Sequence, residues 1–330
     1  MRRRDFIALI GGATAVLSPF ITRAQQSGRV RRIGILIGLA EDDLVGRSST
    51  AVLLEELGKL GWREPNTIRI DFRWAGGDTE RVKIYANELV GLAPDLLLAD
   101  APAQFMALRQ AAPTIPIVFV MITDPVGRNF VTNASRPGGN VTGFGTFEFS
   151  MGGKWLQMLK ELDPEIRRVS FIGNPQTTPY DQFLRSIEES GSSLAVQVVA
   201  ARVHSSEDIE SAIAAMAGKP KGAFIVPPDT FINASRPVIL ESATRYGVPA
   251  IYPFRYFALS GGLVSYGIDR NDIFRRVASY IDRILQGTSP GELPVQTPTK
   301  FELVINLKTA KALGIAIPQS ILLRADEVIE

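Results

Sequence analysis

The sequence predicts an α/β protein of two Rossmann-like lobes, each a parallel sheet flanked by helices, joined by a multi-strand hinge. Three observations carry that prediction. Short buried runs rich in β-branched residues alternate with stretches of helical periodicity. The second half repeats strand motifs of the first in the same order, and Pro/Gly-rich segments separate the halves. A chain of 330 residues, 45% hydrophobic and 21% charged, is long enough for two cores rather than one.

The elements follow in order. The spacing predicts a strand over Arg32–Ile37, ended by Gly38, then a helix over Thr50–Leu60, where Val52, Leu53, Leu57 and Leu60 share a face and Gly61 stops it. Strand Ile68–Trp74, helix Arg81–Leu92, strand Asp95–Ala99, helix Pro102–Ala111 and strand Ile115–Met121 complete the first series. Strands separated by single helices imply a parallel sheet covered on both faces.

The repeat is visible in three pairs. "RRIGILIG" (31–38) returns as "RRVSFIGN" (167–174), "PDLLLAD" (94–100) as "PKGAFIVPPD" (220–229), and "IPIVFV" (115–120) as "VPAIYP" (248–253). Helices Tyr180–Ser190 and Glu207–Ala217 stand where Thr50–Leu60 and Arg81–Leu92 stand in the first half. A repeat of this length is a duplicated lobe, since solenoid units are several-fold shorter. The expected first lobe spans 30–138 and 267–288, the latter holding helix Asp272–Leu285; the second spans 145–253 and 297–322, closing on a short helix near Thr309–Leu313. Hinge crossings are expected near 139–144, 254–266 and 289–296. A hinged pair of lobes encloses a cleft.

The opening "MRRRDFIALIGGATAVLSPFITRAQQ" has the layout of an export signal: a basic start, an apolar middle broken by glycines, and small Thr22 and Ala24 at the end. Residues 1–24 are expected to be removed after about Ala24, and Arg3-Arg4-Asp5-Phe6-Ile7 resembles the twin-arginine export motif. The chain carries 36 basic and 34 acidic residues, net +2; without the leader's four arginines and one aspartate, 32 and 33 remain, net −1. The basicity belongs to the leader, so no nucleic-acid or membrane-surface partner is expected. No later stretch is apolar enough to span a membrane, so no direct insertion of the mature chain is expected. Cysteine is absent, which excludes disulfides, thiolate metal sites and a lipidated cysteine.

The catalytic inventory is thin. His204, the one histidine, lies at a helix entry in "ARVHSSED" and reads as solvated. There is no GxSxG elbow, HExxH motif, GxxxxGK[ST] loop or GxGxxG fingerprint. No cofactor, no metal and no enzymatic activity are expected.

"GWREPNTIRIDFRWAGGD", "IPIVFVMITDPVG", "SRPGGNVTGF", "VPAIYPFRYFALSGGLVSYGID" and "PTKFELVINLKTAKALGI" resemble the ABC substrate-binding family that includes TrpX-like proteins, over essentially the whole mature chain. The resemblance implies the type I periplasmic binding protein fold, and a small-molecule ligand held between closing lobes. It also implies an inner-membrane ABC permease and a separate ATPase subunit as partners. Docking on a chemoreceptor or sensor kinase uses the same closure and is the alternative role.

Ligands in open parallel sheets bind at the carboxyl ends of strands. That rule selects Ser48 and Ser49 at the expected helix start, and Asp100, Thr123 and Asp124 at strand ends. In the second half it selects Asn174, Thr178, Asp229, Thr230 and Tyr252, with Tyr266 near a crossing. Hydroxyls ahead of a helix either cap it or sit where its free N–H groups receive an anion. The carboxylates either cap turns and helices or pair with a ligand ammonium. Tyr252, Phe254, Tyr256 and Tyr266 are candidates to sandwich an apolar ligand, so an amino acid or an aromatic or organic acid is expected.

Overall fold

The computed structural model describes residues 29–218, 221–298 and 300–330; the expected leader, 1–24, lies outside them. In the first lobe the chain runs β1 (Arg31–Ile37), α1 (Leu44–Lys59), β2 (Ile68–Trp74), α2 (Thr79–Gly91), β3 (Leu96–Asp100), α3 (Pro102–Ala111), β4 (Ile117–Ile122) and β5 (Val141–Gly145). The second lobe follows with α4 (Met151–Leu162), β6 (Arg168–Gly173), α5 (Tyr180–Leu194), β7 (Gln197–Arg202), α6 (Ser206–Ala214) and β8 (Gly222–Ile225). It continues through α7 (Thr230–Ala234), α8 (Arg236–Tyr246), β9 (Ala250–Tyr252), α9 (Arg255–Leu259) and β10 (Val264–Gly267). Helix α10 (Arg270–Leu285) returns to pack on α1, and β11 (Glu302–Asn306), α11 (Leu307–Ala312), α12 (Gln319–Leu322) and β12 (Glu327–Ile329) end the chain in the second lobe.

The first sheet has the order β2-β1-β3-β4-β5, all parallel. The second contains the same series, β7-β6-β8-β9-β10, extended by β11, antiparallel to β10, and β12. The three motif pairs of the sequence are β1 with β6, β3 with β8 and β4 with β9, strands at equivalent places in the two sheets. The duplication is therefore written in topology as well as in residues.

Both sheets are buried on two faces. In the first, Ile33, Ile35 and Ile37 pack with Leu53 and Leu57 of α1, while Leu36 packs oppositely with Leu89 of α2 and Phe105 of α3. That alternation is the period-two geometry of a strand. Among the described residues no helix is long and apolar enough to cross a membrane.

The lobes are joined three times, but the joins fall later than two of the expected crossings. Most of 139–144 lies in β5, and 254–266 is spent on α9 and β10; the chain crosses after Gly145 and again between Gly267 and Arg270. A buried backbone must find hydrogen-bond partners, so each stretch first pairs in a sheet. The third crossing, before β11, runs alongside β5: Gln296 N donates to the Gly143 carbonyl at 3.0 Å, and Gly145 N to the Gln296 carbonyl at 2.8 Å.

Candidate functional site

A cavity of about 230 Å³ lies between the lobes. The first lobe walls it with Gly38, Leu39, Asp100–Ala103, Met121, Thr123 and Arg128, the second with Gln176, Thr177, Pro228–Thr230, Asn233 and Phe254. Both sheets thus turn the carboxyl ends of their β1/β3 or β6/β8 pair toward it, the point where strand order reverses and ligand crevices open. A volume just below the roughly 300–1,000 Å³ of ordinary small-molecule sites suits one small metabolite.

Four charged side chains line the cavity. Arg270, the first residue of α10, donates from Nη2 to Asp100 Oδ2 at 2.6 Å; the pair is almost wholly buried. Arg270 Nε also donates to Ser49 Oγ at 3.2 Å. That ion pair neutralises itself. Asp229 has no cationic partner among the described residues. It accepts from Thr177 Oγ1 at 2.6 Å, from Thr178 Oγ1 and from Ile232 N at 3.0 Å, three of the roughly four lone-pair positions a carboxylate offers. Burial pushes the Asp229 carboxyl above the ordinary aspartate range, against the pull of those donors. Arg128 is the fourth: half-buried, and held below the ordinary arginine range by burial. One free carboxylate and one free guanidinium remain on the walls, a balance that matches a zwitterion better than a net anion or cation.

The first lobe's wall is strained. Ala101 takes φ 91°, ψ 166°, a conformation almost restricted to glycine. Met121 (φ 60°) sits where β4 slips register against β5, a bulge that aims its side chain into the cavity. Asp124 (φ 44°) follows at the turn after β4. Strain of this kind persists where surrounding structure enforces it, characteristically around sites.

A second, wider groove of about 770 Å³ lies on the other side of a neck where Gly38 meets Thr230. Its arginines are ion-paired: Arg236 Nη2 donates to Asp43 Oδ2 at 3.2 Å, and Arg255 pairs with Glu327 and Glu302, although Arg236 Nη1 and Arg255 Nε find no hydrogen-bond partner among the described residues. Of the two, the smaller cavity carries both a carboxylate and a guanidinium that lack an ion-pair partner among the described residues, Asp229 and Arg128.

Of the residues selected from sequence, Asp100, Thr123, Asp229 and Thr230 line this cavity, and Ser48 lines the wider groove. The rest have other places. Helix α1 begins at Leu44 with Asp43 as its cap, so Ser48 and Ser49 lie inside it, and Ser49 Oγ bonds back to the Val45 carbonyl at 3.0 Å. Their hydroxyls do not front a helix N-terminus; the Asp43 cap, nine residues upstream of Val52 where the apolar repeat begins, took that role. Asp124 Oδ1 accepts from Gly127 N at 2.9 Å, closing its own turn. Asn174 caps the turn that presents Gln176, and Thr178 stands behind Asp229. Tyr252 stacks on Phe257 in the second lobe's core, centroids 4.9 Å apart, and Tyr266 packs on Phe301 at 5.9 Å. The expected sandwich reduces to Phe254, because the other three aromatic rings find apolar partners on the core side or in the wider groove.

Sequence reading missed Arg128, Arg270 and Met121, while Thr177 lies within the strand-end stretch 174–178. Arg128 carried a signal, the "DPVGR" turn directly after β4. Arg270 carried none, since its partner lies 170 positions away.

Two matched lobes around a closed, charge-lined cavity define a ligand-trapping protein. The chain belongs to the ABC transporter substrate binding protein family, which matches residues 44–329. It is 28% identical over 260 residues to the tyrosine-binding protein of Clostridioides difficile (strain R20291), covering 79% of this chain and 74% of that one. Among solved structures it is similar to an ABC domain in complex with L-Trp from Streptococcus pneumonia, with a TM-score of 0.81 and 27% identity over 91% of this chain and all of that one. It is less similar to the ligand-free, open structure of a substrate-binding protein with adhesive properties from Clostridium difficile. There the TM-score is 0.68 and the identity 25%, covering 91% of this chain and 99% of that one. At nearly equal identity and coverage, the TM-score is higher to the liganded structure than to the open one. The family and these relatives are solute-binding proteins rather than enzymes.

Proposed function

We propose that this chain is the exported solute-binding component of an ABC importer, that it traps one free amino acid between its lobes, and that it delivers it to an inner-membrane permease driven by a separate ATPase. The observation that carries the ligand class is the charge balance of the cavity, one unneutralised carboxylate and one unneutralised guanidinium facing the same small space. An α-amino acid supplies both complements, whereas an organic acid leaves Asp229 facing an anion or nothing. The tyrosine and L-Trp of the relatives support the same class, and Phe254, Met106 and Met121 offer the apolar and thioether surface an amino-acid side chain packs against. In this reading the ligand ammonium faces Asp229, and residues 1–24 direct export by the twin-arginine route.

Thermal-shift titration of the mature protein against the L-amino acids, organic acids and sugars tests this. A ligand at 100 times its dissociation constant adds about 2.7 kcal/mol to stability, so an amino acid is expected to raise the midpoint clearly. Stabilisation by sugars or organic acids alone would overturn the ligand class.

A further inference from the structure

We infer that Arg128 is the residue that receives the α-carboxylate of the ligand, through a guanidinium that the folded protein leaves without an anion. The inference rests on the amino-acid reading above and adds the group that decides it.

Of the two arginines on the cavity, Arg270 is spent on Asp100 at 2.6 Å. Arg128 is not spent: its Nη1 is buried and finds no hydrogen-bond partner among the described residues. Asp124 attracts it electrostatically, but the Asp124 carboxylate turns back onto Gly127 N at 2.9 Å. A half-buried guanidinium with an idle face is costly to keep unless something fills it. The fold nonetheless holds it rigidly. Its guanidinium lies 4.7 Å over the Phe130 ring, Phe130 rests on Phe105 at 5.0 Å, and Phe105 on Phe119 of β4 at 5.4 Å. The Phe130 carbonyl is tied down by Arg109 Nη1 at 3.2 Å. Stacking fixes the plane of a guanidinium that lines the cavity, and a planar fork of that kind binds a carboxylate through two parallel hydrogen bonds. The start of α3, whose cap Ala101 offers no side-chain acceptor, lies on the same wall and adds a field of the same sign.

The test measures binding of L-tryptophan and L-tyrosine, and of tryptamine and tyramine, which lack the carboxylate, to wild type, Arg128→Ala and Arg128→Lys by calorimetry. Wild type is expected to prefer each amino acid over its amine strongly. Arg128→Ala is expected to lose more than about 30-fold in amino-acid affinity and to bind the amines as wild type does, erasing the discrimination. Arg128→Lys keeps the charge without the fork and falls between. The ligand-free melting midpoint of Arg128→Ala is expected to stay close to that of wild type, since the lost stacking on Phe130 is offset by release of a buried, unpartnered guanidinium nitrogen. Amino-acid affinity within threefold of wild type in Arg128→Ala, or equal losses for amino acids and amines, overturns the assignment and leaves the amino-acid reading standing. A wild-type protein that binds no L-amino acid in the thermal-shift titration sinks this assignment together with the reading beneath it, an outcome read from wild type alone.

Discussion

Asp43 and Arg236, 193 positions apart, meet at 3.2 Å and tie the first lobe to the second. The Arg236 guanidinium also stacks 5.2 Å from the Tyr256 ring, whose hydroxyl donates to Asn233 at 2.8 Å. The pair spans the two lobes, and its loss is expected to favour their opening. Asp43→Asn removes the charge while keeping a good helix cap over Val45 and Gly46. Ligand affinity is expected to fall up to about fivefold, the range of a partly exposed ion pair, with unfolding stability nearly unchanged. Calorimetry paired with small-angle scattering checks both. An unchanged affinity with an unchanged radius would show that the pair does not hold the lobes.

Gly38 sits at the neck between the lobes. A Cβ there would lie 3.2 Å from Thr230 Cγ2 and 3.1 Å from Gln104 Nε2. Valine adds two further methyl groups, and overpacking of this kind costs on the order of 1–3 kcal/mol. Gly38→Val is expected to relieve the clash by opening the cleft, so ligand affinity drops tenfold or more while the circular dichroism spectrum is preserved.

Asp229 carries a pH signature. Its folded-state proton affinity is raised by burial, so between the ordinary aspartate value, about 4, and the folded value the native state binds more protons than the unfolded one. Stability therefore declines as pH rises through that window and stays flat above it. Relative to Asp229→Asn, which has no such titration, the wild type is expected to lose stability from about pH 4 upward. Urea unfolding of both proteins across pH reads the difference, and a rise instead of a fall contradicts the buried, unpaired carboxylate. The same substitution weakens binding of an amino acid, and Asp229→Ala costs roughly 2–5 kcal/mol of affinity.

Ala101 stores strain at φ 91°. Glycine at that position is expected to stabilise the protein by about 1 kcal/mol, the relief of 1–3 kcal/mol less the entropy glycine adds to the unfolded chain. A higher urea midpoint together with weaker ligand binding would mark the strain as part of how α3 is presented to the cavity. A lower midpoint would show that the conformation is not strained.

The strands and the duplication were legible because both are local. The burial of Ile33, Ile35 and Ile37 follows from their period along the chain, and "PDLLLAD" resembles "PKGAFIVPPD" whatever surrounds them. Helix starts were less legible: Asp43 caps α1 from within "AEDDLVG", where no apolar repeat announces a helix. The strand-end rule brought Asp100, Thr123, Asp229 and Thr230 to the cavity. It failed for Tyr252 and Tyr266, since an aromatic beside a strand end fills whichever void is nearest, and here those voids lie in the core.

Composition and repeated strands determined by themselves the kind of molecule this is: two lobes with a cleft between them. Only the tertiary structure decided which charges in the cleft are available. Asp100 and Asp229 look equivalent along the chain, yet Arg270 arrives from beyond a hinge crossing to neutralise the first, and among the described residues no cation arrives for the second. Charge pairing depends on distance in space and not on position in sequence, so the free carboxylate and the free guanidinium exist as a pair only once the lobes have folded and met.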